Sequence, residues 1–313
     1  MNAAADMALT RQAGAVALYM LTSVALVFFN KAALRGFPCP LSLTWLQMLV
    51  TLPLVLAVRR RSHSAALFDG VALFDGADAR AALPAACVYT AMVASGNLCL
   101  HNVHASSYQI ARSMHLIFSV VLSALLGTRT PAAQLTACVV ITGGYVCGAA
   151  SNARFSSAGL LHGTAASALT ALNALLTKRT LARFGDDTWR LQQYTAAYSL
   201  LTLPALAAAA DEPALWRTVE LRDGALWLCL LGGGALGFGL SFAAANSVKH
   251  TSPLAHMVAG SAKGALQTVL APAVFGTRLD VREQLGTLVC VLGSAGFAAL
   301  RIRSATPPKE RRD

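Results

Sequence analysis

The chain is 313 residues long, 56% hydrophobic and 12% charged, with a mean hydropathy of +0.56. That balance lies well outside ordinary soluble domains; with about 20 apolar residues needed per crossing, the length accommodates roughly ten membrane spans on short loops. The net charge of +11 falls on alternate loops, so it reads as a topology signal and not as a nucleic-acid surface.

A short polar leader precedes the first span, 14–34, which is longer than a signal-peptide core, has no obvious small-residue cleavage site and is expected to stay. The second span, 41–58, runs into the basic linker "RRRSHS" from Arg59, and the loop at 66–76 carries a small duplication, "ALFDGVALFDG", that reads as low complexity. Spans 82–101, 106–127 and 131–150 follow. The next spans are 157–178, closed by "TKRTLARFGDDTWR", and 189–210, closed by "ADEP"; then come 224–247, 252–275 and 281–302, and the tail "RIRSATPPKERRD".

With the N-terminus cytosolic, Arg11, Arg59 to Arg61, Arg80, Arg129, Lys178, Arg179, Arg183, Arg190, Lys249 and the tail cations share one side. They outnumber Lys31, Arg35, Arg154, Arg217, Arg222, Arg278 and Arg282 opposite, so the positive-inside rule puts both termini in the cytosol. The seven cysteines, Cys39, Cys87, Cys99, Cys138, Cys147, Cys229 and Cys290, show no Cys-x-x-Cys or metal spacing and read as small packing residues. No Gly-rich phosphate loop, Ser/His/Asp set or His-Glu-x-x-His motif gives catalysis a foothold; no catalytic residue, metal or cofactor is expected. "LLGGGALGFG" from residue 230 reads as close helix packing in lipid.

The chain repeats itself. "LLGTRT" around Gly127 recurs as "VFGTRLD" around Gly276, an offset of 149 residues, which also pairs Asn97 with Asn246, His101 with His250 and Gly144 with Gly293. Five spans per copy is odd, so the second copy enters the membrane from the opposite side. The expected fold is therefore an all-α membrane protein of ten transmembrane helices in two inverted five-helix repeats, 1–150 and 151–302, with a basic cytosolic tail at 303–313. Such pairs imply alternating access around a midplane site.

Two cations remain away from the ends of their spans. In the fourth, Tyr108, Arg112, His115 and Ser119 fall at i, i+4, i+7 and i+11; in the ninth, His256, Gly260, Lys263 and Gln267 repeat that spacing. A cation at the centre of a span costs about 2.5 to 3.5 kcal/mol even on the lenient insertion scale. Apart from Glu283, two residues into the last span, the spans hold no Asp or Glu to neutralise either, which leaves carbonyls, water or a bound anion; an anionic substrate is the preferred partner. The plain alternative is a long side chain reaching the interface, and for His115, His256, Asn97 and Asn246 it is ordinary helix contact.

The stretches "FPCPLSLTWLQMLVT" from 37, "NLCLHNVHASSYQIARSMHLIFSVVLS" from 97, "DDTWRLQQY" from 186 and "KHTSPLAHMVAGSAKGALQTVLA" from 249 resemble nucleotide-sugar transporters of the drug/metabolite transporter superfamily. They are most like the Golgi GDP-fucose transporters, over residues 15–303. The resemblance implies exchange of a cytosolic nucleotide sugar for lumenal nucleoside monophosphate, in the Golgi membrane. It implies Lys263 on sugar and phosphate; charge matching to a diphosphate makes Arg112, with Lys263, the candidate pair for the substrate phosphates. A Gly-Ala-Leu-Asn-Lys motif of related GDP-mannose carriers matches Ala259, Gly260, Ser261, Ala262 and Lys263; a Phe-Tyr-Asn-Asn motif that holds guanine matches Gln193, Tyr194, Thr195 and Ala196. Only the tyrosine survives there, so the base stays open. Tyr108, Gln109, Tyr194, Gln193, Thr195, His256, Gly260, Ser261 and Gln267 are the candidates for base, ribose or sugar. Asn30 and Lys31 look like a family feature too, with interfacial anchoring as the plain reading of Lys31.

The expected partners are nucleotide sugar, nucleoside monophosphate and membrane lipid, with no nucleic acid; no motif decides for or against a homodimer. A transporter of another organic phosphate, such as a UDP-sugar or a triose phosphate, keeps the two cations and changes the pocket. A membrane-embedded enzyme would need a midplane acid/base pair.

Overall fold

The computed structural model describes residues 2–63, 74–104, 108–127, 131–149, 156–220, 223–250, 253–276 and 280–305. The duplication from 66 to 73, Arg129, Arg154, Arg222, Arg278 and the tail from 306 lie outside the described residues, as do the side chains of Gln109, Asn246, His256 and Ser261. Among the described residues the chain is all helical: α1 (Asn2–Gly36), α2 (Pro40–His63), α3 (Gly76–Asn102), α4 (Tyr108–Ala111), α5 (His115–Leu125), α6 (Ala132–Ala149), α7 (Ser157–Arg183), α8 (Thr188–Ala209), α9 (Glu212–Leu215), α10 (Gly224–His250), α11 (Pro253–Phe275) and α12 (Val281–Ala305), with a 3-10 turn at Trp216–Thr218.

Helix is what hydrocarbon demands of such a sequence, because only intrahelical bonds satisfy every backbone N–H and C=O there. Among the described residues five helices are long and apolar enough to cross a membrane, Val16–Gly36, Pro40–Arg61, Gly76–Asn102, Ser157–Arg183 and Gly224–Ala244; His115–Leu125 and Ala132–Gly148 are shorter apolar helices. The outer surface is apolar as well: Leu125 is 79% exposed, Leu201 75% and Val269 73%. Large exposed apolar area suits a lipid-facing wall. Polar residues mark where helices start. Asp75 accepts from Ala77 N and Asp78 N at 3.2 Å, Ser156 from Gly159 N at 2.9 Å, and Asp187 from Arg190 N at 3.0 Å.

The expected fourth span, 106–127, is interrupted. Its two pieces, α4 and α5, meet at a turn over 112–114, where Ser113 N donates to Ile110 O at 3.0 Å.

α1 packs on α10, α3 on α7, α2 on α8, and α6 on α12; α3 also meets α8, α2 meets α10, α5 meets α7, and α11 meets α1, α4 and α12. The α6–α12 seam is closed by glycine, since a Cβ on Gly286 would fall 2.6 Å from Gly148 N and one on Gly144 would fall 2.8 Å from Cys290 N. The glycine run of α10 works likewise, with Gly232 against Phe29 and Gly234 against Val50. Asn30, Gln47 and Asn97 tie α1, α2 and α3 together: Gln47 Nε2 donates to Asn30 Oδ1 at 2.7 Å, Asn30 Nδ2 to Asn97 Oδ1 at 3.0 Å, and Asn97 Nδ2 to Thr44 Oγ1 at 2.7 Å.

Two linker charges turn inward. Glu212 of "ADEP" is buried, and its carboxylate accepts from Leu41 N at 2.9 Å, Ser42 N at 2.7 Å and Ser42 Oγ at 2.7 Å. It thereby caps the start of α2, where backbone N–H groups have no intrahelical partner. Trp216 Nε1 donates to the same Ser42 Oγ at 3.1 Å, so the α8–α10 connector is strapped onto the α1–α2 corner. Cys39 lies in that corner, where burial, and then the Glu212 carboxylate, push its thiol up to about 11. Arg59, expected on a cytosolic loop, is 6% exposed and donates to Gln193 Oε1 on α8.

Candidate functional site

The break after α4 aims Arg112 across the bundle. Its Nη1 donates to Tyr108 Oη at 2.9 Å and its Nη2 to Thr170 Oγ1 of α7 at 2.9 Å, and the guanidinium carbon stands 5.5 Å from the Tyr108 ring centroid. Thr170 spends its own proton on Ala166 O at 2.6 Å, which leaves its oxygen as an acceptor for the arginine. Tyr108 is buried beside Gly96 of α3, where a Cβ would meet its hydroxyl at 3.3 Å. His115 Nδ1 lies 3.1 Å from the Arg112 carbonyl that the break leaves exposed.

Lys263 comes from the other side on α11. Its Nζ donates to Ser23 Oγ of α1 at 3.0 Å and stands 5.9 Å from the Tyr19 ring centroid. Gly260, one turn earlier, faces the same ring: a Cβ there would lie 4.0 Å from Tyr19 Oη. Gln267, one turn later, is fully buried. Lys263 and Tyr19 both lie within electrostatic reach of Arg112, and α4 touches α11. Two positive charges thus share a polar cluster built from α1, α4, α7 and α11. Among the described residues neither cation pairs with a carboxylate.

The structure brings Tyr108, Arg112, Gly260 and Lys263 together. Gln193, Tyr194 and Thr195 form a second group on α8. Gln193 is fully buried on Arg59, Tyr194 Oη accepts from Asp75 N at 2.8 Å and donates to Asp75 O at 3.2 Å, and Thr195 Oγ1 donates to Gln192 O at 2.9 Å. Tyr194 also meets the rings of Phe74 and Phe184, and Arg190 pairs with Asp78 nearby. Gln192, buried beside them, has no hydrogen-bond partner on either amide atom among the described residues.

Tyr19, Ser23 and Thr170 were not singled out by the sequence. A signal was present for the first two, which stand four apart in the apolar run "LYMLTSVALVFF" and so share a helix face. Thr170 has no such signal, because Ser and Thr serve many apolar helices by bonding back to their own backbone. Among the described residues no group of His, Cys, Asp and Glu could hold a metal ion.

The model of the triose-phosphate transporter family matches residues 11–297. The GDP-fucose transporter of Caenorhabditis elegans is 32% identical over 92% of this chain and 82% of its own. GDP-fucose transporter 1 of Mus musculus is 34% identical over 91% and 82%, and that of Dictyostelium discoideum 31% identical over 92% and 80%. One solved crystal structure, 18% identical, superposes with a TM-score of 0.63 over 94% of this chain and 99% of that one, a likeness of fold.

Proposed function

Because the chain belongs to the triose-phosphate transporter family, as a nucleotide-sugar transporter and not an enzyme, we propose that it imports GDP-fucose or a related GDP-sugar into the Golgi lumen in exchange for GMP. The observation that carries this reading is the approach of Arg112 and Lys263 with no carboxylate paired to either among the described residues. A diphosphate-linked sugar carries about two negative charges, and a phosphate monoester nearly two at pH 7. Either cargo neutralises the pair. An empty cavity would have to occlude two uncompensated cations as it closed, at a large desolvation cost, whereas a loaded one closes around a neutral site. Exchange is then favoured over empty return.

Two inverted halves, 1–150 and 151–302, supply the moving parts. The helix neighbours support this division. Pairing α1, α2, α3, α4 with α5, and α6 with α7, α8, α10, α11 and α12, exchange of the halves turns the α1–α10 contact into α7–α3, α2–α10 into α8–α3, and α1–α11 into α7–α5; each of these occurs. The α2–α8 and α6–α12 contacts map onto themselves. At the latter seam Cys290 Sγ lies 3.5 Å from the carbonyl of Ile141, 149 residues away. Gly144 packs on Cys290 as Gly293 packs on Ile141, the same contact after exchange. Both termini face the cytosol in this reading, and ten helices cross the membrane.

Gln109, His256, Ser261, Gln267 and the α8 residues Gln193, Tyr194 and Thr195 remain the proposed contacts to base, ribose and sugar. A second reading, a UDP-sugar or triose phosphate as cargo, is favoured by the α8 group, where Arg59 already engages the Gln193 carbonyl.

Counterflow in proteoliposomes tests both readings. Lys263→Ala and Arg112→Ala should each abolish exchange while the protein remains folded, and near-normal exchange by both would exclude the phosphate clamp. GMP should compete where UMP and inorganic phosphate do not; the reverse order selects the second reading.

A further inference from the structure

A cavity of about 370 Å³ lies away from the Arg112–Lys263 cluster, at the ends of α1 and α3, lined by Lys31, Leu34, Arg35, His101, Asn102, Val103 and His104. Its size falls within the range of small-molecule sites. Four of the lining side chains are basic and none is acidic. Lys31 alone has a sufficient structural account: its Nζ donates to Leu100 O and Val103 O, both at 2.6 Å, and so balances the carbonyl end of α3. That use consumes two of its three protons and leaves one for the cavity.

Arg35 has no such account. It stands one turn beyond Lys31 on α1, exposed, with its guanidinium carbon 4.8 Å from the ring centroid of Phe275 on α11 and no ion pair to a carboxylate among the described residues. His101 and His104, both exposed, bring two more rings to the same hollow. Glu212, an acid within electrostatic reach of His101, already holds the start of α2 with both oxygens.

We propose that this cavity is a second anion site, which binds a phosphate group at the α1–α3 end of the bundle and stages the phosphate-bearing product between the central clamp and the lumen. Only the staging role rests on the transport reading; phosphate binding does not. The group can be that of a free phosphate compound or of a lipid headgroup, and both offer the same oxygens to Arg35, His101 and the remaining Lys31 proton.

The experiment is thermal unfolding of the purified full chain carrying Lys263→Ala, with inorganic phosphate in one arm and dioleoyl phosphatidic acid in mixed micelles in the other, against chloride at equal ionic strength. Phosphate should raise the melting temperature saturably, and Arg35→Gln or His101→Gln should each raise the half-saturating concentration about tenfold, the value of one lost charge-assisted hydrogen bond. Stabilisation by phosphatidic acid alone, weakened by the same substitutions, keeps the site and assigns it to lipid. No stabilisation in either arm, or stabilisation indifferent to both substitutions, overturns it. Should Lys263→Ala fail to fold, the wild-type chain saturated with GMP takes its place, and the further rise on adding phosphate is read. Normal counterflow by Lys263→Ala and Arg112→Ala would sink the clamp and leave this measurement untouched.

Discussion

α4–α5 and α11 occupy equivalent places in the proposed repeat and carry one cation each, yet they hold it differently. The first breaks at its cation; the second runs through it. At the break, Arg112 reaches hydroxyls on two elements, Tyr108 and Thr170, while His115 serves its freed carbonyl. On the unbroken helix, Lys263 has Ser23 and a tyrosine ring. An uninterrupted helix keeps its carbonyls bonded to itself and offers none to a buried ammonium. The arginine is therefore largely provided for by the protein, and in the proposed reading the lysine depends more on cargo. Irregular backbone at a binding site is also what transporters place at midplane, where it can line a cavity instead of facing lipid.

The largest expected effect bears on that asymmetry. Lys263→Ala and Arg112→Ala should each cost about thirtyfold or more in exchange, since truncating one partner of a buried charge pair costs about 2–5 kcal/mol. Charge-keeping swaps separate the two. Arg112→Lys cannot span Tyr108 and Thr170 at once and should lose about tenfold, with the deficit in half-saturation for cargo; Lys263→Arg keeps a point charge with spare donors and should lose less. Equal losses in counterflow would remove the distinction.

Next in size come the hydroxyls on the arginine. Tyr108→Phe and Thr170→Val each delete one acceptor from Arg112 and should slow exchange about fivefold, the worth of a net hydrogen bond of about 1 kcal/mol. If the break exists to free Arg112, His115→Ala should add a comparable loss by leaving a backbone carbonyl without its ring partner, seen as a fall in melting temperature. No change for His115→Ala would mean that the turn over 112–114 holds itself.

Much of this was legible. Apolar length marked the helices, five of which among the described residues are long and apolar enough to cross a membrane, and the lack of a carboxylate deep in the apolar stretches singled out Arg112 and Lys263. The break was not legible, because "YQIARSMHL" contains neither Pro nor Gly and nothing in its residue types disfavours helix; tertiary contacts decide it. A linear charge pattern also counted Arg59 and Glu212 as loop residues, whereas Arg59 is buried on Gln193 and Glu212 caps α2 from 170 residues away. Side chains that serve a distant helix end leave no periodic trace. Lys31 hides the same way, since the carbonyls it binds belong to α3.

The smallest effect is the most discriminating. Ser23→Ala removes from Lys263 its hydroxyl partner among the described residues and should cost the ligand-free protein about 1 kcal/mol, read as a modest fall in melting temperature. The consequence for binding depends on whether Ser23 competes with the cargo or cooperates with it. If a phosphate oxygen takes the lysine proton that now points at Ser23, the bond is already lost in the bound state and the substitution weakens the free state alone. Stabilisation by cargo then becomes larger in Ser23→Ala than in the wild type, by the same roughly 1 kcal/mol. If Ser23 keeps its bond while cargo occupies the other ammonium protons, both states weaken equally and the stabilisation is unchanged. Lys263 has three donors and, among the described residues, one hydroxyl bonded to them, so room remains for phosphate without displacement, and the unchanged outcome is expected. Thr170→Val poses the same question to Arg112, whose Tyr108 bond persists when the threonine is gone. A gain on the lysine side would mean that the unbroken helix holds its cation in a pose that cargo must undo.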